Sequence, residues 1–208
     1  NADDLHYVKL GISCTLSQLI ETGVMHADPH GGNILKLPNG GLAYLDFGLV
    51  STVPQQVRDG LVAAVALLIF SRNYAAVGRL FGELMLIPPE VLEDESEMRA
   101  LESALEDAAN ATLKFPEGGG VPNVRFDQLL GALVALVPRF KFILPPYFLN
   151  NARALGTLEG MAKSADANFN ILAEVYPYSM KKLLANPEGS PVIRKVIRKR
   201  KLFPTDDS

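Results

Sequence analysis

The sequence predicts an α+β fold that is predominantly α-helical and has a single β-hairpin near its start. Two patterns support this prediction. Apolar residues recur at helical spacing through most of the chain. The pair Asn39-Gly40 lies between two short apolar segments, which is the strongest short-range signal for a hairpin. The 208 residues are 48% hydrophobic and 21% charged, which suits one folded domain with a sizeable core.

Composition excludes several classes of protein. A net charge of -3 gives no general reason to expect binding to nucleic acid. The single cysteine, Cys14, rules out a disulfide framework and a cysteine-based zinc site, and we expect it to be a small core residue. The apolar segment 61–70 is too short to span a membrane, and the segment 129–149 is interrupted by Pro138, Arg139 and Lys141. Both are therefore expected to be buried helices.

The elements follow in order along the chain. Val8, Ile12, Leu16 and Ile20 recur every four residues and predict a first helix, which Gly23 is suited to end. The hairpin is predicted over residues 34–45. A helix is predicted from Pro54 onward, in which Val57, Leu61, Val65 and Leu68 have suitable spacing. Further helices are predicted over 74–84, 90–114, 126–137, 146–163 and 168–185, with a loop at 116–123 and an exposed acidic helix start at 93–97.

Polar residues are concentrated around the hairpin. His26 and Asp28 precede it, Asn33 follows Asp28 by five positions, and Asp46 follows Asn33 by thirteen. Because the hairpin carries the chain out and back, Asp46 is expected to return beside Asn33. An amide oxygen and a carboxylate at one point suit Mg²⁺, which bridges nucleotide phosphates, and Asp28 stays free to orient or deprotonate an acceptor.

A simpler interpretation is a capped hairpin with solvated side chains, since Asp and Asn are common in turns. That interpretation suits any one of these residues but not the ordered set. His26 is expected to be structural, with a hydrogen bond near the turn formed by Asp46, Phe47 and Gly48.

The order of these residues matches the protein-kinase signature of His-Arg-Asp, Asn and Asp-Phe-Gly. More specifically, HADPHGGN at 26–33 followed by LDFG at 45–48 resembles the UbiB family of atypical kinases, also called aarF-domain or "activity of bc1 complex" kinases. Gly31 stands where the family pattern has Pro, which is expected to loosen the loop. The resemblance extends through residues 46–61 and weakly across the later helices.

The resemblance implies a protein-kinase-like C-terminal lobe over residues 1–185, followed by a basic tail over 186–208. Only 25 residues precede His26, too few for an N-terminal lobe. The chain also begins at Asn1 rather than Met, and we interpret it as a fragment whose missing lobe is its partner in the full-length protein. The 208 residues alone are therefore expected not to catalyse.

The resemblance also assigns roles. Asp28 matches the catalytic aspartate, and Asn33 and Asp46 match the metal-binding pair. The residues implied to bind ATP are His30, Asn33 and Asp46, and those implied to support the loop are His26 and Gly48. Ala27 replaces the arginine of His-Arg-Asp, so a conventional phosphorylation switch is not expected. No Ala-Pro-Glu follows Asp-Phe-Gly, and both departures argue against a conventional protein kinase that acts on a protein hydroxyl.

The implied function is that of an atypical kinase or ATPase that binds ATP and Mg²⁺ and supports isoprenoid-quinone biosynthesis or lipid homeostasis. A chloroplast location, at the plastoglobule or thylakoid, is favoured over a mitochondrion or the periphery of a bacterial membrane. Two alternatives stay open. One is a small-molecule phosphotransferase of the aminoglycoside or choline kinase type, which shares the His-x-Asp-x-His-x-x-Asn loop. The other is a nucleotide-binding scaffold that handles lipids without phosphorylating an acceptor.

The tail contains six basic residues within eight positions, namely Arg194, Lys195, Arg198, Lys199, Arg200 and Lys201. Apolar residues among them favour docking on an anionic membrane, on a prenyl-lipid surface or on the domain itself. A nuclear-localisation signal and a solvated tail are the other interpretations. No nucleic-acid partner is expected.

Overall fold

A computed structural model describes residues 2–117, 120–186 and 190–194. Residues 191–194 of these ranges are helical, and the chain before them forms eight α-helices and four short strands. The helices are α1 (Ala2–Ser17), α2 (Gln55–Ala66), α3 (Tyr74–Glu83), α4 (Pro89–Glu93), α5 (Glu95–Thr112), α6 (Phe126–Phe140), α7 (Pro146–Ala165) and α8 (Ile171–Ala185). The strands are β1 (Val24–His26), β2 (Ile34–Lys36), β3 (Leu42–Tyr44) and β4 (Val50–Thr52). The predicted class, predominantly α with a small β component, is confirmed.

Two of the helices continue into π-helical turns. Residues Gln18–Thr22 extend α1, and residues Leu67–Ser71 extend α2. Gly23 ends the first extension at φ 75° and donates its backbone N–H to the carbonyl of Gln18, so the predicted helix end is confirmed. A left-handed residue here lets the chain turn directly into β1.

The predicted hairpin is β2–β3, in which Ile34 pairs with Tyr44 and Lys36 with Leu42. The prediction that this hairpin is the only convincing β-structure is wrong. Strand β1 pairs antiparallel with β4, Val24 opposite Thr52, and this second sheet encloses the hairpin. Strands of three residues are too short to show a period, and the two partners are far apart in sequence, so no local pattern marks the pair.

The predicted helix over 90–114 is also corrected, because the chain breaks at Asp94 into α4 and α5. Asp94 has extended backbone, and its Oδ1 accepts hydrogen bonds from the N–H groups of Ser96 (2.8 Å) and Glu97 (3.1 Å). A side chain that caps a helix in this way fixes its first turn. The acidic helix start predicted at 93–97 is thus present. The other helices lie close to their predicted positions.

The core runs between the helices, with Ile12, Leu80, Leu101, Phe140 and Leu158 fully buried. Among the described residues, no helix combines the length and the apolar character that a membrane crossing requires. Cys14 is only half-buried, and Gln18 Nε2 donates to its Sγ at 3.3 Å. The prediction that Cys14 is a core residue is therefore corrected.

The start of the predicted tail packs against the domain. Ser190 Oγ and the Val192 backbone N–H both donate to the carboxylate of Glu83, each at 2.9 Å, and Ile193 is buried. The basic residues from Lys195 onward, and with them the predicted membrane contact, lie outside the described residues.

We expect Gly23→Ala to destabilise the fold by about 2–3 kcal/mol, measured as the free energy of urea unfolding. Gly23 has φ +75°, and a β-carbon there would lie 2.8 Å from the Val53 carbonyl oxygen, so strain and a backbone clash add together. Gly40 offers a matched control, because it has φ +82° but nothing within 4 Å of an added β-carbon. Gly40→Ala should cost about 1 kcal/mol. Equal losses in the two variants would contradict the proposed clash.

Candidate active site

The candidate site lies between the two small sheets. Residues 27–33 form a loop that leaves β1 and enters β2. The loop begins beside β4, because the Ala27 N–H donates to the Leu49 carbonyl at 3.0 Å. The register of β2–β3 continues one step beyond the hairpin, where the Leu45 N–H donates to the Asn33 carbonyl at 2.8 Å. Asp46 follows directly, so the hairpin returns it next to Asn33, as the spacing predicted.

Asp46 itself has an unusual backbone, with φ 55°. Non-glycine residues with positive φ are uncommon, and such strain is found most often at functional sites. Its Oδ1 accepts a hydrogen bond from the Gly48 N–H at 3.2 Å, which closes the turn through Phe47. Asp46 is exposed, and its second carboxylate oxygen, Oδ2, takes no part in the hydrogen bond that closes this turn.

His26 links the loop to this turn. Its Nε2 lies 2.9 Å from the Leu45 carbonyl and 3.0 Å from the Asp46 carbonyl, while its Nδ1 lies 3.3 Å from the Asp28 backbone N–H. Two carbonyls accept only from an N–H, so Nε2 carries the proton and Nδ1 accepts from Asp28. The contact predicted for His26 near the Asp-Phe-Gly turn is therefore present.

Burial reinforces this link. His26 is 3% exposed, and its ring meets the ring of Phe47 edge-on, with the centroids 5.5 Å apart. The ring of Tyr44 also packs against His26, with the centroids 5.6 Å apart. Burial raises the pKa of Tyr44 well above its usual value, and its hydroxyl donates to the Gly11 carbonyl at 3.2 Å. One buried imidazole thus fixes the positions of Asp28 and Asp46 relative to each other.

Asn33 is 8% exposed and is oriented by its donor group. Its Nδ2 donates to the Asp28 carbonyl at 3.3 Å, and its backbone N–H donates to the His30 carbonyl at 2.8 Å. Because Asn33 Nδ2 is engaged in this hydrogen bond within the loop, Asn33 Oδ1 is the side-chain atom that remains available to a ligand. Asn33 Oδ1 and the free oxygen of Asp46 are both hard acceptors, which is the donor chemistry that Mg²⁺ prefers.

This pair is small for a metal site formed by protein alone. Within the described ranges, no cluster of three or more His, Cys, Asp or Glu side chains is arranged to hold a metal ion. Mg²⁺ commonly takes one or two protein ligands and completes its shell with substrate phosphates and water. The residues present therefore fit an ion that enters with a nucleotide.

The carboxylate of Asp28 lies between two basic side chains. Its Oδ2 is 3.8 Å from Nε2 of His30, and its Oδ1 is 3.8 Å from Nη2 of Arg153. His30 is held to the loop by the Gly32 N–H, which donates to its Nδ1 at 3.0 Å. Both distances to Asp28 exceed hydrogen-bond length, so neither His30 nor Arg153 donates a hydrogen bond to the carboxylate.

The structure brings together His26, Asp28, His30, Asn33, Asp46 and Gly48, the six predicted site residues. Their chemical roles stay predictions. Sequence reasoning missed Arg153, which reaches Asp28 from α7 and is remote from it in sequence. No local pattern marks this contact, because it joins a residue of the loop to a residue on a distant helix.

Gly31, where the family pattern has proline, does not disturb the loop. A β-carbon at this position would meet nothing closer than Cε of Met161, at 4.0 Å. The loop before Gly31 is held by a backbone hydrogen bond, which the His30 N–H donates to the Asp28 carbonyl at 2.9 Å. The expected loosening is therefore not visible in the loop geometry.

Comparison with known proteins supports the resemblance. Residues 1–81 match the ABC1 atypical kinase-like domain, a range that contains the whole candidate site except Arg153. The chain is 38% identical over 192 residues to a chloroplastic aarF domain-containing protein kinase of Arabidopsis thaliana, covering 92% of this chain and 26% of that protein. It is 39% identical over 190 residues to the chloroplastic protein ACTIVITY OF BC1 COMPLEX KINASE 3 of the same plant, covering 91% and 25%.

A protein of Synechocystis sp. is 35% identical over 184 residues, covering 88% of this chain and 26% of its own length. No solved structure matches the chain significantly. The chain thus spans about a quarter of the length of the curated relatives it matches. From the motif, the helical kinase-like fold and these similarities, we conclude that the chain belongs to the UbiB/aarF (ABC1) family of atypical kinase-like proteins.

Proposed function

We propose that residues 26–48 form one side of an ATP- and Mg²⁺-dependent phosphoryl-transfer site of an atypical kinase or ATPase. The observation that supports this most directly is the His26 contact. One buried ring binds the carbonyls of Leu45 and Asp46 and the N–H of Asp28, so the catalytic and metal-binding candidates are fixed together.

In this proposal Asn33 Oδ1 and the Asp46 carboxylate hold Mg²⁺, which neutralises charge on the nucleotide phosphates. Asp28 orients the acceptor hydroxyl or water and accepts its proton. Because phosphoryl transfer depends on positioning and charge stabilisation, a rigid link between these groups is the main contribution that this part of the protein makes.

The other half of the cleft is proposed to lie outside these 208 residues. A phosphate-covering loop and a strand lysine are needed to hold the nucleotide from the opposite side. Exposed apolar side chains surround the site: Phe47 is 66% exposed, and Leu35, Leu45 and Val50 are each more than 40% exposed. An apolar surface of this kind suits a covering lobe.

Relatives suggest the wider setting. Those named ACTIVITY OF BC1 COMPLEX KINASE, and the aarF domain-containing kinase, are named chloroplastic. We propose on this basis a chloroplast protein, at the plastoglobule or thylakoid, that supports isoprenoid-quinone metabolism or lipid homeostasis. Contact with a membrane or a prenyl-lipid surface forms part of the same proposal.

The test uses the full-length protein that contains this chain, supplied with radiolabelled ATP and lipid vesicles. We expect hydrolysis or transfer of the γ-phosphate that requires Mg²⁺ and stops with EDTA. Turnover that yields phosphate but no labelled acceptor favours the ATPase or the lipid-handling scaffold. A labelled small alcohol favours the aminoglycoside or choline kinase type. Turnover that is unaffected by EDTA would contradict the site described above.

Arg153 is proposed to position the Asp28 carboxylate. We expect Arg153→Met to lower kcat for ATP about tenfold with KM unchanged, because the nucleotide contacts stay in place while Asp28 loses the guanidinium charge near its carboxylate. Arg153→Lys should recover part of the loss. Arg99 is an exposed arginine on α5, and Arg99→Met is therefore the matched control, which should behave as wild type. A change in KM with constant kcat would instead indicate that Arg153 binds the nucleotide.

A further inference from the structure

The helical part of the protein contains a large apolar cavity, partly open to the surface, whose lining includes none of the candidate active-site residues. Its volume is about 250 Å³, and its walls come from α1, α2, α3, α5, α6, α7, α8 and the two π-helical turns. None of the residues from β1 to β4 lines it. Leucine, alanine, valine and aromatic side chains form almost the whole surface.

The volume is large for a packing defect. Protein interiors are close-packed, and an empty apolar cavity costs stability in proportion to its volume. A cavity of about 150 Å³ with similar walls stays free of water and accepts benzene. In proportion, the present cavity would hold an apolar molecule of about ten carbon atoms.

Two polar atoms at the cavity wall have unsatisfied hydrogen-bonding capacity. Oδ1 of Asn151, on α7, and Oγ of Ser179, on α8, are both buried and have no hydrogen-bond partner. The two residues are only 6% and 1% exposed. Buried polar atoms are almost always hydrogen-bonded, so each unpaired atom calls for an explanation.

One other polar side chain at the cavity wall is already engaged. The hydroxyl of Tyr147, which also lines the cavity, already donates to the Leu84 carbonyl, and burial raises the pKa of Tyr147 to about 12. An unpaired carbonyl oxygen requires a donor, and apolar walls offer too few polar partners to hold water alone. A hydroxyl on an apolar molecule would satisfy Asn151.

The backbone around the cavity points the same way. Leu19 and Ile20 lie on the first π-helical turn and Leu68 on the second, and these three residues line the cavity. π-helical turns are rare and occur frequently at functional sites. Both π-helical turns in the described part of the chain line this one cavity.

We propose that this cavity is a binding site for a small apolar molecule of about ten carbon atoms that bears one hydroxyl group. The carbon skeleton fills the apolar space, and the hydroxyl donates to Asn151 Oδ1. The site is independent of the proposed phosphoryl transfer, so either proposal can fail alone.

A matched pair of probes tests the proposal. 1-Decanol and methyl nonyl ether have the same number of heavy atoms, but only the alcohol can donate a hydrogen bond. With the full-length protein that contains this chain, we expect calorimetry to give a Kd for the alcohol about tenfold lower than for the ether. Equal affinities, or no binding of either probe, would overturn the proposal.

Variants locate the binding. Asn151→Leu keeps the size of the side chain but removes the acceptor, so the preference for the alcohol should disappear. Ala132→Phe and Ala64→Phe fill the cavity from two different helices, and either variant that folds by circular dichroism should lose binding. Ala173→Phe, on an exposed position of α8, should bind as wild type. Unchanged binding in a folded cavity-filling variant would show that the probe sits elsewhere.

Discussion

Replacing Asp28 with Asn in the full-length protein is expected to lower Mg²⁺-dependent ATP turnover by about 10²–10⁴-fold and to leave nucleotide affinity unchanged. The amide has the same size and keeps the loop geometry, since the contacts that fix residue 28 involve its backbone N–H and carbonyl. What the substitution removes is the negative charge and the ability to accept a proton. Turnover under single-turnover conditions and equilibrium binding of ATP measure the two effects separately.

Asp107→Asn is the matched control, because this residue is exposed on α5 and distant in sequence from the site. It should turn over ATP at the wild-type rate. If Asp28→Asn weakened ATP binding as strongly as it slowed turnover, Asp28 would belong to the nucleotide site, and its proposed role toward the acceptor would be removed.

Replacing Asp46 or Asn33 with Ala should have a different signature, namely a loss of Mg²⁺-dependent nucleotide affinity of at least about tenfold for each. Asp46→Ala removes a carboxylate from the proposed ion, and Asn33→Ala removes the buried amide oxygen. Both variants then leave Mg²⁺ with too few protein ligands to hold it against the phosphates. Affinity for ATP is measured in Mg²⁺ and again in EDTA.

The measurement in EDTA is the control for indirect damage. Asn33→Ala also deletes the hydrogen bond from Nδ2 to the Asp28 carbonyl, and Asp46→Ala deletes the acceptor of the Gly48 N–H. Such damage would weaken binding whether or not the ion is present. A loss as large in EDTA as in Mg²⁺ would therefore contradict the metal-binding assignment.

Local interactions explain what could be predicted from sequence. The helices follow from apolar spacing, the turn at Gly23 from its freedom at positive φ, and the hairpin from Asn39-Gly40. The return of Asp46 beside Asn33 also follows, because a hairpin fixes the register of residues that flank it. The motif at 26–48 then identified the family, since its residues lie in one continuous segment.

Apolar spacing gave a wrong helix boundary where one capping residue interrupts the helical pattern. The helix predicted over 90–114 has suitable apolar spacing throughout, but Asp94 caps α5 with its own side chain and ends α4. A capping side chain offers the backbone an alternative partner, and this outweighs the periodic signal at that one position.

The sequence by itself determined the helical class, the hairpin and the chemistry available at Asp28, Asn33 and Asp46. The tertiary structure alone decided the pairing of β1 with β4, the approach of Arg153 to Asp28, and the apolar cavity beside Asn151. The physical reason is the range of the interactions. Turns and helices are fixed by neighbours within a few residues, whereas these three features depend on how distant segments pack, which no local spacing encodes.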